Sequence, residues 1–150
     1  DSVEFHVFFD ASYDAAYAAV IYLRNGANTQ IDISKTRIAP LKKIFLSRLE
    51  LNAAVLLSRL MNHILKVYKF SHTTQYYWSY SMITLAWIKD SPHKRTTYVA
   101  NRVSEIQGLS NPDSWFHVKT GDNPADIGSR GILPTNLRLC ELWWKGPLRC

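Results

Sequence analysis

Cysteine is scarce, with 2 in 150 residues, Cys140 and Cys150, both in the last stretch of the sequence. That excludes a disulfide scaffold, and neither cysteine has the close Cys/His spacing of a zinc site. With thiols kept reduced, a cytosolic or nuclear location is expected. Long apolar runs are also missing. The most apolar segment, Leu49 to Leu65, is broken by Ser58, Arg59 and His63, short of the roughly 18 uninterrupted apolar residues of a membrane span. No signal or transit segment opens the chain. It starts at Asp1 without an initiator Met, so a piece of a longer chain is expected. Glycine and proline number 6 each and form no linker, repeat or low-complexity tract. Acid is the scarcer charge: 12 Asp plus Glu against 18 Lys plus Arg, a net +6. Such a balance attracts polyanions, nucleic acid among them.

What the chain does have is apolar and aromatic weight, 47% and 13%, enough for one self-sufficient domain. Val3 to Asp10 is apolar on both faces, the pattern of a central strand. Ala16 to Arg24 reads the same way. Asn25-Gly26 then signals a type I′ hairpin, and Thr29 to Ile38 alternates, with Ile31 and Ile33 on one face. From Leu49, Ala53, Leu56, Leu57, Leu60, Met61, Ile64 and Leu65 recur at helical spacing, and Ser47-Arg48-Leu49-Glu50 reads as a capping box. Thr74 to Ser79 is a fourth strand and Ser81 to Lys89 a short helix, stopped before Pro92. A helix from Thr97 to Gln107 should end at Gly108. Trp115 to Thr120 is a fifth strand, and Asn123-Pro124 opens a last helical turn. Leu139, Leu142, Trp143 and Trp144 of the tail are expected to pack on the body. The fold class is thus α/β, a mixed five-stranded sheet of three antiparallel strands and then parallel ones, flanked by helices. The fourth strand returns parallel to the first through a right-handed crossover. Ligands of open α/β sheets lie beyond the carboxyl ends of such strands, here Asp10 and the Ser79-Tyr80 junction.

Asp10, Glu50 and Asp126 are the candidate catalytic residues. Each has a plainer role available: Asp10 as a turn-starting residue, Glu50 as the capping-box glutamate, Asp126 as an anion at a helix start. Their elements, however, converge on one edge of the expected sheet. Converging carboxylates repel one another unless a hard cation such as Mg²⁺ sits between them, and a pair of such ions supports phosphodiester hydrolysis.

The segments His-Val-Phe-Phe-Asp-Ala-Ser (6–12), Ser-Lys-Thr-Arg-Ile-Ala-Pro-Leu-Lys (34–42), Ser-Arg-Leu-Glu-Leu (47–51), Ala-Trp-Ile (86–88), Val-Ala-Asn-Arg-Val-Ser-Glu-Ile (99–106), Asp-Asn-Pro-Ala-Asp-Ile-Gly-Ser-Arg-Gly (122–131) and Leu-Trp-Trp-Lys-Gly-Pro (142–147) resemble the RNase H domain of BEL/Pao-type LTR retrotransposon polyproteins. The resemblance implies the RNase H-like fold over residues 1–131, with 132–150 a tail that packs on it or leads to the next polyprotein domain. It implies two-metal cleavage, with Mg²⁺, of the RNA strand of RNA–DNA hybrids during reverse transcription. The partners it implies are the hybrid and the neighbouring reverse transcriptase and integrase domains. The location would be cytoplasmic, in a retroelement particle, or nuclear.

Asp10, Glu50 and Asp126 match three family carboxylates, which are also the metal ligands. The remaining one, an Asp just after the fourth strand, is Tyr80 here. A neutral phenol with a pKa near 10 is a poor Mg²⁺ ligand and a bulkier one, so this copy is expected to be inactive or weak. Substitutes are poor: Asp90 lies too far along a helix, Asp14 needs rearrangement, and Asp122 is the least implausible. The loop Lys119-Thr120-Gly121-Asp122 leaves no room for a His-containing catalytic loop, so His117 is assigned to the strand. Candidate phosphate contacts are Lys94, Arg95 and Arg102, with Lys35, Arg37, Lys42 and Lys43 as a second basic cluster. A catalytically dead module that binds nucleic acid or a protein is the alternative reading.

Overall fold

The computed structural model describes residues 2–13 and 16–147; Asp14 and Cys150 lie outside them. Five strands, β1 (Val3–Ala11), β2 (Ala16–Asn25), β3 (Asn28–Ile38), β4 (Thr73–Ser79) and β5 (Trp115–His117), form one sheet. Its order is β3-β2-β1-β4-β5, antiparallel on the first side and parallel on the other. β1 is central because both of its faces are apolar. Phe5, Val7 and Phe9 point into the larger core with Ala19, Ile21, Tyr77 and Trp115. His6 and Phe8 point the other way, where Phe8 meets Val20, Tyr22 and Val118.

The long helix α1 (Leu46–Val67) covers the first face, burying Leu49, Ala53, Leu56, Leu57, Met61 and Ile64. α2 (Met82–Lys89) and α3 (Thr97–Leu109) pack beside it. On the second face lie α4 (Ala125–Arg130) and α6 (Glu141–Lys145); between them comes the short helix α5 (Pro134–Arg138), whose Leu137 O accepts from Trp144 Nε1. Trp143 packs into the second cluster, and Tyr22 Oη donates to the carbonyls of Leu142 and Trp143. Leu139 and Trp144 remain exposed.

Several local expectations are corrected. The hairpin turns at Gly26-Ala27 rather than Asn25-Gly26, since Asn25 still pairs with Asn28; Gly26 adopts φ 61°, where glycine carries no Cβ penalty. Ile31 and Ile33 occupy opposite faces, because Tyr22 pairs with Ile31 and Ile21 with Ile33, leaving Asp32 as a bulge. The capping box does not form. Phe45 O already accepts from the N–H groups of Arg48 and Leu49, so the helix starts ahead of Ser47 and Glu50 is free for another partner. Gly108 lies inside α3, which runs on to Leu109; Ser110 N–H and Oγ both bond Ile106 O. The helix stops at Ser110, whose backbone is already extended (φ −148°, ψ 158°), and Pro112 keeps Asn111 extended after it. β5 ends at His117, three residues earlier than expected, because residues 120–122 coil into a 3₁₀ turn.

Candidate active site

The parallel register sets the site. Phe9 pairs with Ser79, so Asp10 and Tyr80 emerge next to each other at the carboxyl ends of β1 and β4. Asp10 shares the parity of His6 and Phe8 and therefore faces α4, not α1. Two features bring α4 within reach. Asn123, 2% exposed, donates through Nδ2 to Phe9 O (3.1 Å) and accepts the Ala125 N–H on Oδ1 (3.1 Å), tying the start of α4 to β1. Gly128 lets α4 lie against β2, for a Cβ there would stand 2.9 Å from that of Ala18.

Asp126 is thereby placed within hydrogen-bonding reach of Asp10. Its Oδ1 also accepts from Arg130 Nε at 2.7 Å. Buried Ser129 donates through Oγ to Asp10 Oδ2 at 3.0 Å and lies 3.1 Å from Asp126 O. Burial pushes the Asp10 carboxyl up to about 7, the Ser129 hydroxyl opposes this, and the nearby Asp126 carboxylate adds to it.

Glu50 arrives from α1 on the opposite face and meets different groups. Ser81 Oγ donates to its Oε2 at 2.5 Å. The same Ser81 Oγ accepts from Thr84 N–H and so caps α2. Burial raises the Glu50 carboxyl above its ordinary value, while hydrogen bonds from Ser81 and Thr84 hold it back. Among the described residues no three His, Cys, Asp or Glu side chains lie close enough to share a metal ion. The expected convergence is thus halved: Asp10 and Asp126 meet, and Glu50 stands apart from them. The sheet end separates two groups that hang from its two faces.

Tyr80 is 52% exposed, with its ring 6.0 Å from that of His117. The two line one depression with Glu50, Ser81, Phe45, Leu46, Met82 and Ile83. Asp122 opens instead into a separate cavity with Trp78 and Lys119, and Asp90 is paired with Lys94 (3.3 Å) and Arg95 (2.9 Å). Neither lines the depression that Tyr80 lines. Hydrogen bonds from Ser91 N–H and Lys94 hold the Asp90 carboxyl below its usual range.

Of the candidate phosphate contacts, Lys94 and Arg95 thus carry an acidic partner but also line a depression with Arg48, Trp87 and Thr96. Arg102 lies flat over the Tyr98 ring, its Cζ 3.5 Å from the centroid, and its Nε donates to Asn52 Oδ1 at 2.7 Å. Arg48 approaches the same ring at 4.6 Å. Lys35, Arg37, Lys42 and Lys43 are exposed.

Of the supporting residues, Asn123 was read from sequence only as the start of a helical turn, and Ser81, Gly128 and Ser129 were given no role at the site. Ser129 had a readable signal, since three residues after Asp126 on a helix it shares its face.

The fold has solved counterparts at low identity. RNase H1 of Halobacterium salinarum superposes with a TM-score of 0.51 at 12% identity, over 83% of this chain and 91% of that one. The N-terminal RNase H domain of rv2228c from Mycobacterium tuberculosis gives 0.57 at 10%, over 86% and 94%. LC11-RNase H1, solved in complex with an RNA/DNA hybrid, gives 0.57 at 8%, over 83% and 91%. No curated protein matches the chain. The sequence profile of the Pao retrotransposon-like RNaseH-like domain matches residues 1–81, from β1 through Tyr80 to the cap of α2. The chain therefore belongs to the Pao retrotransposon RNase H-like domain family.

Proposed function

We propose that the chain is the RNase H-like domain of a retrotransposon polyprotein whose ancestral task is to cleave the RNA strand of RNA–DNA hybrids, and that Tyr80 impairs cleavage in this copy. The observation that carries the reading is Tyr80 itself, which follows β4 beside Asp10 and shares a depression with Glu50. Asp10, Glu50 and Asp126 are the catalytic carboxylates of this proposal. The donor set fits one divalent cation: Asp10 and Asp126 offer paired carboxylate oxygens, and Mg²⁺ takes one or two carboxylates while keeping waters for a phosphate. It does not fit a second, because Glu50 is bonded to Ser81 and Tyr80 supplies a neutral phenol. A cation on the Asp10–Asp126 pair would supply Lewis acidity toward a phosphodiester. Ser129 orients Asp10, and Arg130 orients Asp126. Lys94, Arg95 and Arg102 are the proposed backbone contacts. Recognition of a hybrid is by backbone shape and 2′-hydroxyls rather than sequence, and the hybrid held by LC11-RNase H1 supports that ligand class. Reverse transcriptase and integrase are the proposed neighbours in the polyprotein, with the tail 132–150 as the segment leading onward. The proposed location is a cytoplasmic particle or the nucleus; among the described residues no helix is long and apolar enough to cross a membrane.

The test is cleavage of a labelled RNA–DNA hybrid with Mg²⁺ or Mn²⁺. The unmodified chain is expected near background, and Tyr80→Asp to raise the rate about tenfold or more, the factor that about 1.4 kcal/mol of transition-state stabilisation gives. Robust metal-dependent cleavage by the unmodified chain overturns the reading. A second reading, a catalytically dead module, is favoured by the separation of Glu50 from the other carboxylates. Mg²⁺ calorimetry distinguishes them, since a dead module need not bind the ion.

A further inference from the structure

A second charged depression opens on the outer side of α1, away from the carboxylates. Asn52 follows Glu50 by two residues and so stands about 200° round the helix from it. Glu50 bonds Ser81 at the start of α2, whereas Asn52 bonds Tyr98 and Arg102 of α3. Arg37 of β3, Asn52 and Arg59 of α1, and Asn101, Arg102 and Glu105 of α3 line a space of about 330 Å³.

Its donors are held in place and outnumber its acceptors. Asn52 Oδ1 accepts from Tyr98 Oη (3.0 Å) and Arg102 Nε (2.7 Å). Arginine only donates, so the amide orientation is fixed and Nδ2 is its remaining end. Arg102 is fixed further by the Tyr98 ring, whose centroid lies 3.5 Å from its Cζ, and by the bond from Nη1 to Tyr98 O (3.1 Å), which leaves Nη2 to donate. Arg37 and Asn101 have no side-chain partner among the described residues. Glu105 is the one carboxylate lining the space, and Arg59 already holds both of its oxygens, through Nε at 2.6 Å and Nη2 at 3.0 Å. Lys35, on the same face of β3 as Arg37, and Arg48, beside the Tyr98 ring, add positive charge nearby.

Charge and geometry select the ligand together. Three guanidiniums against one carboxylate leave two positive charges unmatched. A carboxylate or a phosphodiester brings one negative charge, and a phosphate monoester brings close to two at neutral pH. The free donors belong to three different elements. A tetrahedral phosphate accepts from three directions, where a planar carboxylate is met by one fork.

We propose that this depression binds a phosphate monoester dianion, with Arg37 and Arg102 as its charged donors and Asn52 and Asn101 completing its hydrogen bonds. The site is separate from the proposed cleavage site, and the two readings share only Arg102.

The test is calorimetric titration of the full chain with AMP at low salt, where exposed charges are screened least. Saturable binding is expected, with 3′,5′-cyclic AMP, a diester of the same nucleoside, about tenfold weaker or more. Arg37→Ala, at an exposed position, should weaken AMP about tenfold. Glu105→Gln releases Arg59 and should tighten AMP about threefold or more, a gain that misfolding cannot imitate. Equal affinity for AMP and cyclic AMP overturns the proposal, as does AMP binding indifferent to Arg37→Ala or the lack of saturation below about 10 mM. A short DNA strand with and without a 5′-phosphate identifies the source of the monoester. Preference for the phosphorylated strand over AMP assigns the site to a strand end, the reverse assigns it to a small phosphorylated molecule, and both support it. Equal binding of the two strands, lost in Arg37→Ala, overturns it, because the depression then follows a phosphodiester backbone. Arg37 and Glu105 have no part in the cleavage reading, so failure here stays distinct from failure there, which Tyr80→Asp decides.

Discussion

Raising the pH from 4 to 8 is expected to withdraw stability from the fold through Asp10. In the folded chain its carboxyl is pushed up to about 7 from an ordinary 3.8, by burial first and the Asp126 carboxylate next, against the Ser129 hydrogen bond. A raised pKa means that the folded state binds the proton more tightly than the unfolded chain. The stabilisation is therefore fully present below pH 3.8 and is lost as pH rises through about 7. At 1.36 kcal/mol per pKa unit the interval amounts to at most about 4 kcal/mol. Other groups titrate in the same range. Glu50 acts in the same direction, while His6, pulled down by burial, acts in the opposite one. The comparison that isolates Asp10 is with Asp10→Asn. Urea midpoints of the two proteins, measured from pH 4 to 8, should move apart by up to about 2 M at a slope near 2 kcal/mol/M, with the wild type losing ground. Mg²⁺ at pH 8 should restore part of the loss in the wild type only, since a cation binds the ionised pair of the folded state. Parallel midpoint curves across the whole range would refute the reasoning, showing that Asp10 ionises as it does in the unfolded chain.

Two further substitutions test how α4 is delivered to β1. Gly128→Ala places a methyl 2.9 Å from the Ala18 Cβ and should cost about 1–3 kcal/mol in urea unfolding, as overpacking does; a cost below about 0.5 kcal/mol would show that α4 yields freely. Asn123→Ala leaves Phe9 O and Ala125 N–H without their side-chain partner and should cost about 2–4 kcal/mol, while Asn123→Asp, which keeps the acceptor for Ala125 N–H but buries a carboxylate against the Phe9 carbonyl, should cost at least as much.

The sheet was legible because its signals are local and strong. A strand apolar on both faces can only be central, and Val3 to Asp10 is one. Turn and cap details were less legible, since each depends on a choice between neighbours that the sequence leaves nearly balanced. Phe45 carries no capping side chain, yet its carbonyl starts α1 one residue ahead of Ser47. Asp32 bulges, and that single extra residue sends Ile31 and Ile33 to opposite faces.

The carboxylates show where such a reading stops. Sequence order leads one to expect Asp10, Glu50 and Asp126 at one end of the sheet; the structure sets Asp126 beside Asp10 and bonds Glu50 to Ser81, just after β4. Sharing an end is not sharing a face. Asp10 has the parity of Phe8, which faces α4, whereas Glu50 descends from the helix that covers Phe9. A bridge between the two halves needs a charged group at the strand end itself, and the residue there is Tyr80. With an anion at that position, a cation could be held jointly by both halves, drawing Glu50 away from Ser81. With a phenol, each half settles with its own hydroxyl, Ser129 for Asp10 and Ser81 for Glu50. On the proposed function, Tyr80 would therefore do more than remove one ligand. On this argument Tyr80→Asp should increase Mg²⁺ affinity more than Ser81→Ala does, and a double variant should gain less than the sum of the two, because both changes release the same Glu50. Strict additivity in calorimetric titration would mean that Ser81 does not restrain Glu50, and that the two halves are uncoupled for some other reason.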